Sequence, residues 1–213
     1  MEINEDVAEI VGAHAGDGTL YRTNSNSIVW ELRGDVLEKK YYTDHICPLV
    51  ERAFGIKVNS KLRNCGKSNT WGIQTSKKEI TNSFLELGFV PGTKTYTVFV
   101  PDYIFNSNID SKRAFVRGLF DTDGCLNFYA VNGGKSKTYP RIVFNFASKN
   151  LRDTLKKLLS EIGFGSYSWD YKTEFALCLA GVEKLEKWMD EISPMNPKCL
   201  KKYNRWKKLC CVK

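Results

Sequence analysis

Two nine-residue runs constrain this chain more than any other feature. Ile10 to Gly18 reads Ile-Val-Gly-Ala-His-Ala-Gly-Asp-Gly, and Val116 to Gly124 reads Val-Arg-Gly-Leu-Phe-Asp-Thr-Asp-Gly. Each is an apolar helical stretch that ends in Asp-Gly. Small residues recur four apart, Gly12 and Gly16 in the first run and Gly118 and Thr122 in the second, so each helix presents one face on which another backbone can approach closely. Two such helices packed on each other would bring Asp17 and Asp123 out side by side at one end. A carboxylate in the last turn of a helix faces the negative end of the macrodipole, and a bound divalent cation would offset that penalty at both places. Gly18 and Gly124 stand where a helix C-terminus favours a left-handed residue.

The same order of elements follows each run, so the chain reads as a diverged internal duplication. After Asp17 the pattern predicts strands over Thr19 to Asn24 and Ser27 to Arg33 and a helix from Asp35 to Phe54. Strands over Ile56 to Arg63 and Asn69 to Ser76 and a helix from Lys77 to Leu87 complete the first half. After Asp123 it predicts strands at Leu126 to Val131 and Arg141 to Ala147 and a helix from Asn150 to Ile162. Strands at Ser166 to Tyr171 and Glu174 to Ala180 and a helix from Val182 to Ile192 follow. The predicted class is α+β: two tandem αββαββα halves, each a four-stranded antiparallel sheet with helices on one face, related by a pseudo-two-fold axis through the motif helices. The halves cover residues 1–95 and 111–213, with a linker over 96–110; the stretch from Pro91 to Ser107 joins them.

Period-two alternation gives each sheet an apolar and a polar face. Ile28, Trp30 and Leu32 oppose Ser27, Val29, Glu31 and Arg33; Ile142, Phe144 and Phe146 oppose Arg141, Val143 and Asn145; Ile56, Val58 and Leu62 oppose Lys57, Asn59, Lys61 and Arg63. The chain carries a net charge of +8 and a pI near 9.0, which favours a polyanionic partner. Two-stranded ribbons fit the DNA major groove, where Arg, Lys, Asn and Gln read base edges and cations neutralise phosphates. Arg33, Lys57, Lys61, Arg63, Gln74, Arg141 and Asn145 are the candidates for double-stranded DNA.

With 42% hydrophobic and 13% aromatic residues, 213 residues can bury a substantial core. No apolar run reaches the length of a membrane span, and the acidic N-terminus is unlike a signal peptide, so no membrane partner is expected and an intracellular location, cytoplasm or nucleoid, is. Seven cysteines form no CxxC pair and no zinc-ligand spacing with His14 or His45, and the odd count argues against a disulfide scaffold. Cys210 and Cys211 have no assigned role.

The two runs resemble the motif of the LAGLIDADG homing endonucleases, of the single-chain kind that carries two copies. The second copy is the closer match. The first departs at Ala13, His14 and Ala15, and Ala15 replaces the family's first aspartate; Asp17 retains the acid associated with metal. With the copies 106 residues apart (123 minus 17), the resemblance covers nearly the whole chain. It implies a saddle of strands over DNA and adds Tyr21, Thr23, Asn127 and Tyr129 to the DNA-binding candidates. It also implies that each acid serves one strand, that cleavage crosses the minor groove, and that short 3′ overhangs result.

Phosphodiester hydrolysis needs an activated water and a stabilised leaving oxygen, and divalent metals held by carboxylates supply both. Asp17 and Asp123 are expected to hold Mg²⁺, with Mn²⁺ as a substitute, helped by the backbone carbonyls of Gly16 and Thr122. Arg33 is the leading basic assistant, at a position where the family often has Lys or Gln; Lys94 and Lys201, after the last helix of each half, are the others. His14 is expected to be packed within its helix. The basic stretch around Tyr203 and Trp206 reads as a solvated charged helix or a phosphate clamp. The leading expectation is a monomeric, site-specific DNA endonuclease with a long asymmetric target. A maturase of the same fold that binds intron RNA and a nuclease-inactive DNA-binding regulator are the alternatives. The termini lack splicing residues, so an intron-encoded or free-standing enzyme is expected over a whole intein.

Overall fold

The computed structural model describes residues 3–65, 68–130 and 137–210; Val131, the expected end of a strand, and Cys211 lie outside them. The first half runs α1 (Glu5–Gly16), β1 (Gly18–Arg22), β2 (Ile28–Asp35), a 3₁₀ turn (Val36–Glu38), α2 (Lys39–Tyr41), a π turn (Tyr42–Ile46), α3 (Cys47–Phe54), β3 (Lys61–Cys65), β4 (Ser68–Thr75) and α4 (Lys78–Glu86). The joining stretch holds α5 (Asp102–Phe105). The second half runs α6 (Ile109–Asp123), β5 (Gly124–Ala130), β6 (Lys137–Phe146), α7 (Lys149–Glu161), β7 (Tyr167–Tyr171), β8 (Glu174–Ala180) and α8 (Val182–Glu191), followed by α9 (Pro197–Cys210). Both sheets are four-stranded and antiparallel, in the orders β1-β2-β4-β3 and β5-β6-β8-β7, which is the predicted α+β duplication.

Cross-strand pairing puts the two halves in register. Gly18 pairs with Leu32 and Leu32 with Ile73, as Gly124 pairs with Phe144 and Phe144 with Leu177. Each sheet buries one face beneath helices: Leu20, Trp30, Leu32 and Ile73 in the first half, Leu126, Ile142, Phe144 and Leu177 in the second. Burial of each such side chain contributes about 1.5–3 kcal/mol, enough in sum to fix which face turns inward. No helix among the described residues is long and apolar enough to cross a membrane.

Three local expectations are corrected. The helix expected over Asp35 to Phe54 is broken into pieces. Asp35 ends β2 and caps the 3₁₀ turn instead, accepting from Leu37 N at 2.8 Å while Glu38 accepts from Asp35 N at 3.0 Å. Further on, Pro48 has no N–H to donate backward, and the helix widens into the π turn that precedes it. Residues 56–60 form no strand: Gly55, at φ 68°, ends α3 in the left-handed conformation, and Ser60 is pinned by Trp71 Nε1 at 2.9 Å. Lys57 therefore lies outside the sheet. Finally, α9 is half-buried rather than simply solvated. Cys199, Tyr203 and Trp206 are covered, and Trp206 Nε1 donates to the Thr138 carbonyl at 2.7 Å.

Candidate active site at the end of two packed helices

Helices α1 and α6 begin alike, each with an asparagine N-cap: Asn4 accepts from Val7 N at 3.0 Å and Asn108 from Ser111 N at 2.8 Å. Their small residues then let the backbones touch. A Cβ on Gly12 would fall 2.0 Å from the Phe115 carbonyl oxygen, and one on Gly118 would fall 2.0 Å from that of Glu9. Beside this contact the buried Glu9 carboxylate bridges the elements, accepting from Arg117 Nε of α6 at 2.8 Å and meeting His45 Nε2 of the π turn at 2.5 Å.

One turn further on, a Cβ on Gly16 would lie 2.1 Å from Thr122 Oγ1 and 3.3 Å from Asp123 Cγ, so the Asp123 carboxylate rests against the last turn of α1, next to Asp17. The following glycines are not left-handed as expected. Gly124 is extended, at φ −81° and ψ 154°, and Gly18 has no positive φ. Both are required for space: a Cβ on Gly18 would meet His14 Nδ1 at 2.2 Å, and one on Gly124 would meet the Phe120 ring at 2.1 Å. His14 sits in the first core, where Nδ1 accepts from Trp30 Nε1 at 3.2 Å. Burial, then the field of Lys94, lowers its pKa to about 3, so it is neutral at physiological pH.

Of the two acids, Asp17 is exposed and Asp123 half-exposed. Among the described residues neither carboxylate has a hydrogen-bond or ion-pair partner. The protein enclosing Asp17, then the charges of Asp123 and Glu38, push its carboxyl up to about 7, against the opposing fields of Lys94 and Lys198. Enclosure also raises Asp123, opposed by Lys94. Lys94 comes from the joining stretch, and its Nζ donates to the carbonyls of Ala15 at 2.7 Å and Gly16 at 2.5 Å. It thereby satisfies two open carbonyls at the end of α1 and sets a positive charge beside both acids. Burial lowers its pKa, and Asp123 and Asp17 oppose that shift.

The second half solves the same problem differently. Asn196, after α8, donates from Nδ2 to the Asp121 carbonyl and to Glu38 Oε1, both at 2.8 Å. Asp121 stands where the first motif has Ala15. Its Oδ2 accepts from Met195 N at 2.8 Å, its Oδ1 is buried without a partner, and burial pushes it up to about 8. Lys201 is exposed on α9, whereas Lys198 is the lysine of that region whose field reaches Asp17. Glu38, Asn196 and Lys198 carry no motif in the sequence, and only the fold brings them to the acids.

The acids are suited to a divalent cation. Two adjacent carboxylates without ion-pair partners among the described residues, both resisting ionisation, form a hard oxygen set whose repulsion such an ion would relieve. No cluster of three or more His, Cys, Asp or Glu side chains adds to them among the described residues. Of the expected backbone ligands, the Gly16 carbonyl already accepts from Lys94, and Thr122 directs its hydroxyl back to the Gly118 and Leu119 carbonyls.

The open face of the first sheet forms a groove of about 700 Å³ lined by Tyr21, Glu31, Arg33, Lys61, Arg63 and Gln74, among others. Arg33 and Arg63 flank Glu31 at 3.5 and 3.9 Å, and Gln74 Nε2 donates to Tyr21 Oη at 2.6 Å. Thr23 lies beyond β1 in the hairpin turn, where its hydroxyl accepts from Ser27 N at 3.1 Å. On the second sheet Arg141 stacks over Tyr129 at 4.6 Å, Asn127 accepts from Cys125 Sγ at 3.2 Å, and Asn145 is exposed.

This is a duplicated two-sheet α+β scaffold with paired acids at its pseudo-symmetry axis. The chain carries a match to the LAGLIDADG-like domain over residues 110–191, and its fold is that of the single-chain, two-motif LAGLIDADG homing endonucleases. The crystal structure of I-DmoI in complex with DNA and Mn superposes with a TM-score of 0.62 at 17% identity, covering 90% of this chain and 97% of that one. The LAGLIDADG meganuclease I-AabMI bound to uncleaved DNA gives 0.59 at 12% identity, covering 99% and 90%. The homing endonuclease I-WcaI bound to its DNA recognition sequence gives 0.63 at 14%, covering 93% and 86%. Among curated proteins, the ribonucleoside-diphosphate reductase NrdEB subunit alpha of Bacillus subtilis is 28% identical over 165 residues, 73% of this chain. The replication factor C small subunit of Methanocaldococcus jannaschii is 29% identical over 163 residues, 76% of this chain. The chain spans only 14% and 8% of those relatives' lengths.

Proposed function

We propose that the chain is a monomeric, site-specific, divalent-metal-dependent DNA endonuclease that cuts both strands of a long asymmetric duplex target, with Mg²⁺ as its working ion and Mn²⁺ as a substitute. The observation that carries this reading is the pair of unpartnered acids, Asp17 and Asp123, delivered to one point by two helices in backbone contact. These acids would hold the metal, and when bound it would activate water and stabilise the leaving oxygen of a phosphodiester. Lys94 fixes the end of α1 and keeps a positive charge where phosphate charge builds, and Lys198 adds its field from the other half. Arg33 and Arg63, paired with Glu31 on the open face of the first sheet, and Arg141 on that of the second supply phosphate and base contacts. The similarity to structures solved with DNA and with metal supports the same partners here, and the intracellular location expected of the chain accords with a duplex DNA substrate. An intron-encoded origin fits this activity.

The test is cleavage of a randomised duplex library with Mg²⁺, the ends being read by sequencing, beside Asp17→Asn and Asp123→Asn. Discrete paired cuts that either substitution reduces at least a thousandfold support the reading. Binding to a defined duplex or to intron RNA without cuts, or cuts that persist in both variants, would overturn it.

A further inference from the structure

The sheet register shows that the two open faces differ in kind at equivalent positions. In the first half Lys61 pairs with Gly72, which pairs with Arg33, and Arg63 pairs with Thr70. In the second half Trp169 pairs with Ala176, which pairs with Asn145, and Tyr171 pairs with Glu174. Trp169 thus occupies the place of Lys61, and Tyr171 that of Arg63. The exchange continues inward, with Val143 at the place of Glu31 and Cys178 at that of Gln74. Strand alternation puts Tyr167, Trp169 and Tyr171 all on the open face, where they are 43%, 43% and 62% exposed, and the Tyr167 and Trp169 rings stack with centroids 5.7 Å apart. Three exposed aromatics on an edge strand are a solubility hazard that a chain would ordinarily blunt with charge. They occupy the register positions that the cations hold in the other half.

We infer that this aromatic strip is a second, chemically distinct DNA-reading surface, which selects thymine by apolar contact with its C5-methyl group in the outer part of the half-site under the second sheet. This rests on the endonuclease reading and deepens it. Register equivalence with the cations of the first half, and Arg141 on the same sheet face beside Tyr167, identify the occupant as the same duplex. A cation there would neutralise phosphate, whereas the neutral rings of Tyr167, Trp169 and Tyr171 carry no charge to do so and present mainly apolar surface. The major-groove feature an apolar ring recognises is the thymine methyl. The two half-sites then differ in chemistry as well as sequence: the outer strand of the first half contributes salt-dependent contacts, and that of the second contributes methyl-dependent selection that salt leaves unchanged.

The experiment uses the full chain and the target found by library cleavage, with the first-half side identified as the one whose footprint Arg63→Ala weakens. Thymines of the opposite outer half-site are replaced by deoxyuridine, which removes only the methyl. Binding should weaken about three- to fivefold for each contacted methyl. Trp169→Ala should weaken binding to the thymine target about tenfold, abolish the deoxyuridine effect, and leave the slope of log K against log salt unchanged. Arg63→Ala should lower that slope by about one. Specific cleavage with no thymine preference on that side, or with deoxyuridine bound as well as thymine, overturns this inference and leaves the endonuclease reading intact. So does a dimer in solution that Trp169→Ala dissociates. No cleavage or binding of any duplex overturns the endonuclease reading itself.

Discussion

At the scale of single residues, the three aspartates of the motif ends have separable roles that pH exposes. Asp121 is buried, with Oδ1 unpartnered and its carboxyl pushed up to about 8, so the folded chain holds that proton at neutrality. An unfolded aspartate releases it near pH 4, so between about 4 and 8 the unfolded state binds fewer protons and stability falls as pH rises. Asp121→Asn keeps an acceptor for Met195 N and removes the ionisable group. We expect it to raise stability by on the order of 2–4 kcal/mol at pH 8, with most of the gain gone by pH 5, in paired thermal melts. Asp17 is exposed, and its pKa of about 7 matters for binding instead. Metal must displace its proton, so apparent Mn²⁺ affinity by calorimetry should be flat above about pH 8 and fall about tenfold per unit below 7. Because Lys94 lowers the Asp17 pKa, Lys94→Met should move that fall to higher pH. A pH-independent affinity would contradict the assignment of Asp17.

At the scale of elements, the close approach of α1 and α6 is the joint on which the site depends. Gly12→Ala or Gly118→Ala puts a methyl carbon onto backbone rather than onto a side chain that can swing away. Either should cost about 3 kcal/mol or more in denaturant unfolding and reduce cleavage by separating the acids, while Gly55→Ala, away from the joint, should cost about 1 kcal/mol through its left-handed φ alone. Equal losses at all three positions would refute the joint. This contact was legible in the sequence because Gly12, Gly16, Gly118 and Thr122 keep helical spacing, and the strands were legible because burial of one face enforces alternation. Residues 56–60 misled because their alternation comes from Val58 tucking into the core beneath a loop held by Ser60, which periodicity does not distinguish from a strand. Gly18 and Gly124 follow helices as capping glycines do, yet they serve close approach by His14 and Phe120. Asn196 was invisible for another reason. It performs at the Asp121 carbonyl what Lys94 performs at the Ala15 carbonyl, and an amide doing a lysine's work leaves no trace in charge pattern.

At the scale of the whole molecule, the pseudo-two-fold arrangement couples two cores through one helix. Val7, Ala8, Val11 and Ala15 of α1 pack into the core built mainly by the second half, while Ile10 and Ala13 of the same helix pack into the first. Glu9 ties that helix at once to Arg117 of α6 and to His45 of the first half. Freeing α1 from one core would strip a wall from the other and leave the Glu9 carboxylate and the Arg117 guanidinium without compensation, a cost of about 3–5 kcal/mol for breaking a buried pair. Two sheets with separate cores therefore should not melt separately. We expect one calorimetric transition, with calorimetric and van't Hoff enthalpies equal and an enthalpy of roughly 150 kcal/mol near 60 °C, as about 0.7 kcal/mol per residue requires. Two resolved transitions, or a van't Hoff enthalpy near half the calorimetric value, would show that the halves unfold as independent units. The acids would then be held together only while both halves happened to be folded. A single transition means that whatever stabilises the α1–α6 contact, including a cation shared by Asp17 and Asp123, stabilises every strand of both sheets equally.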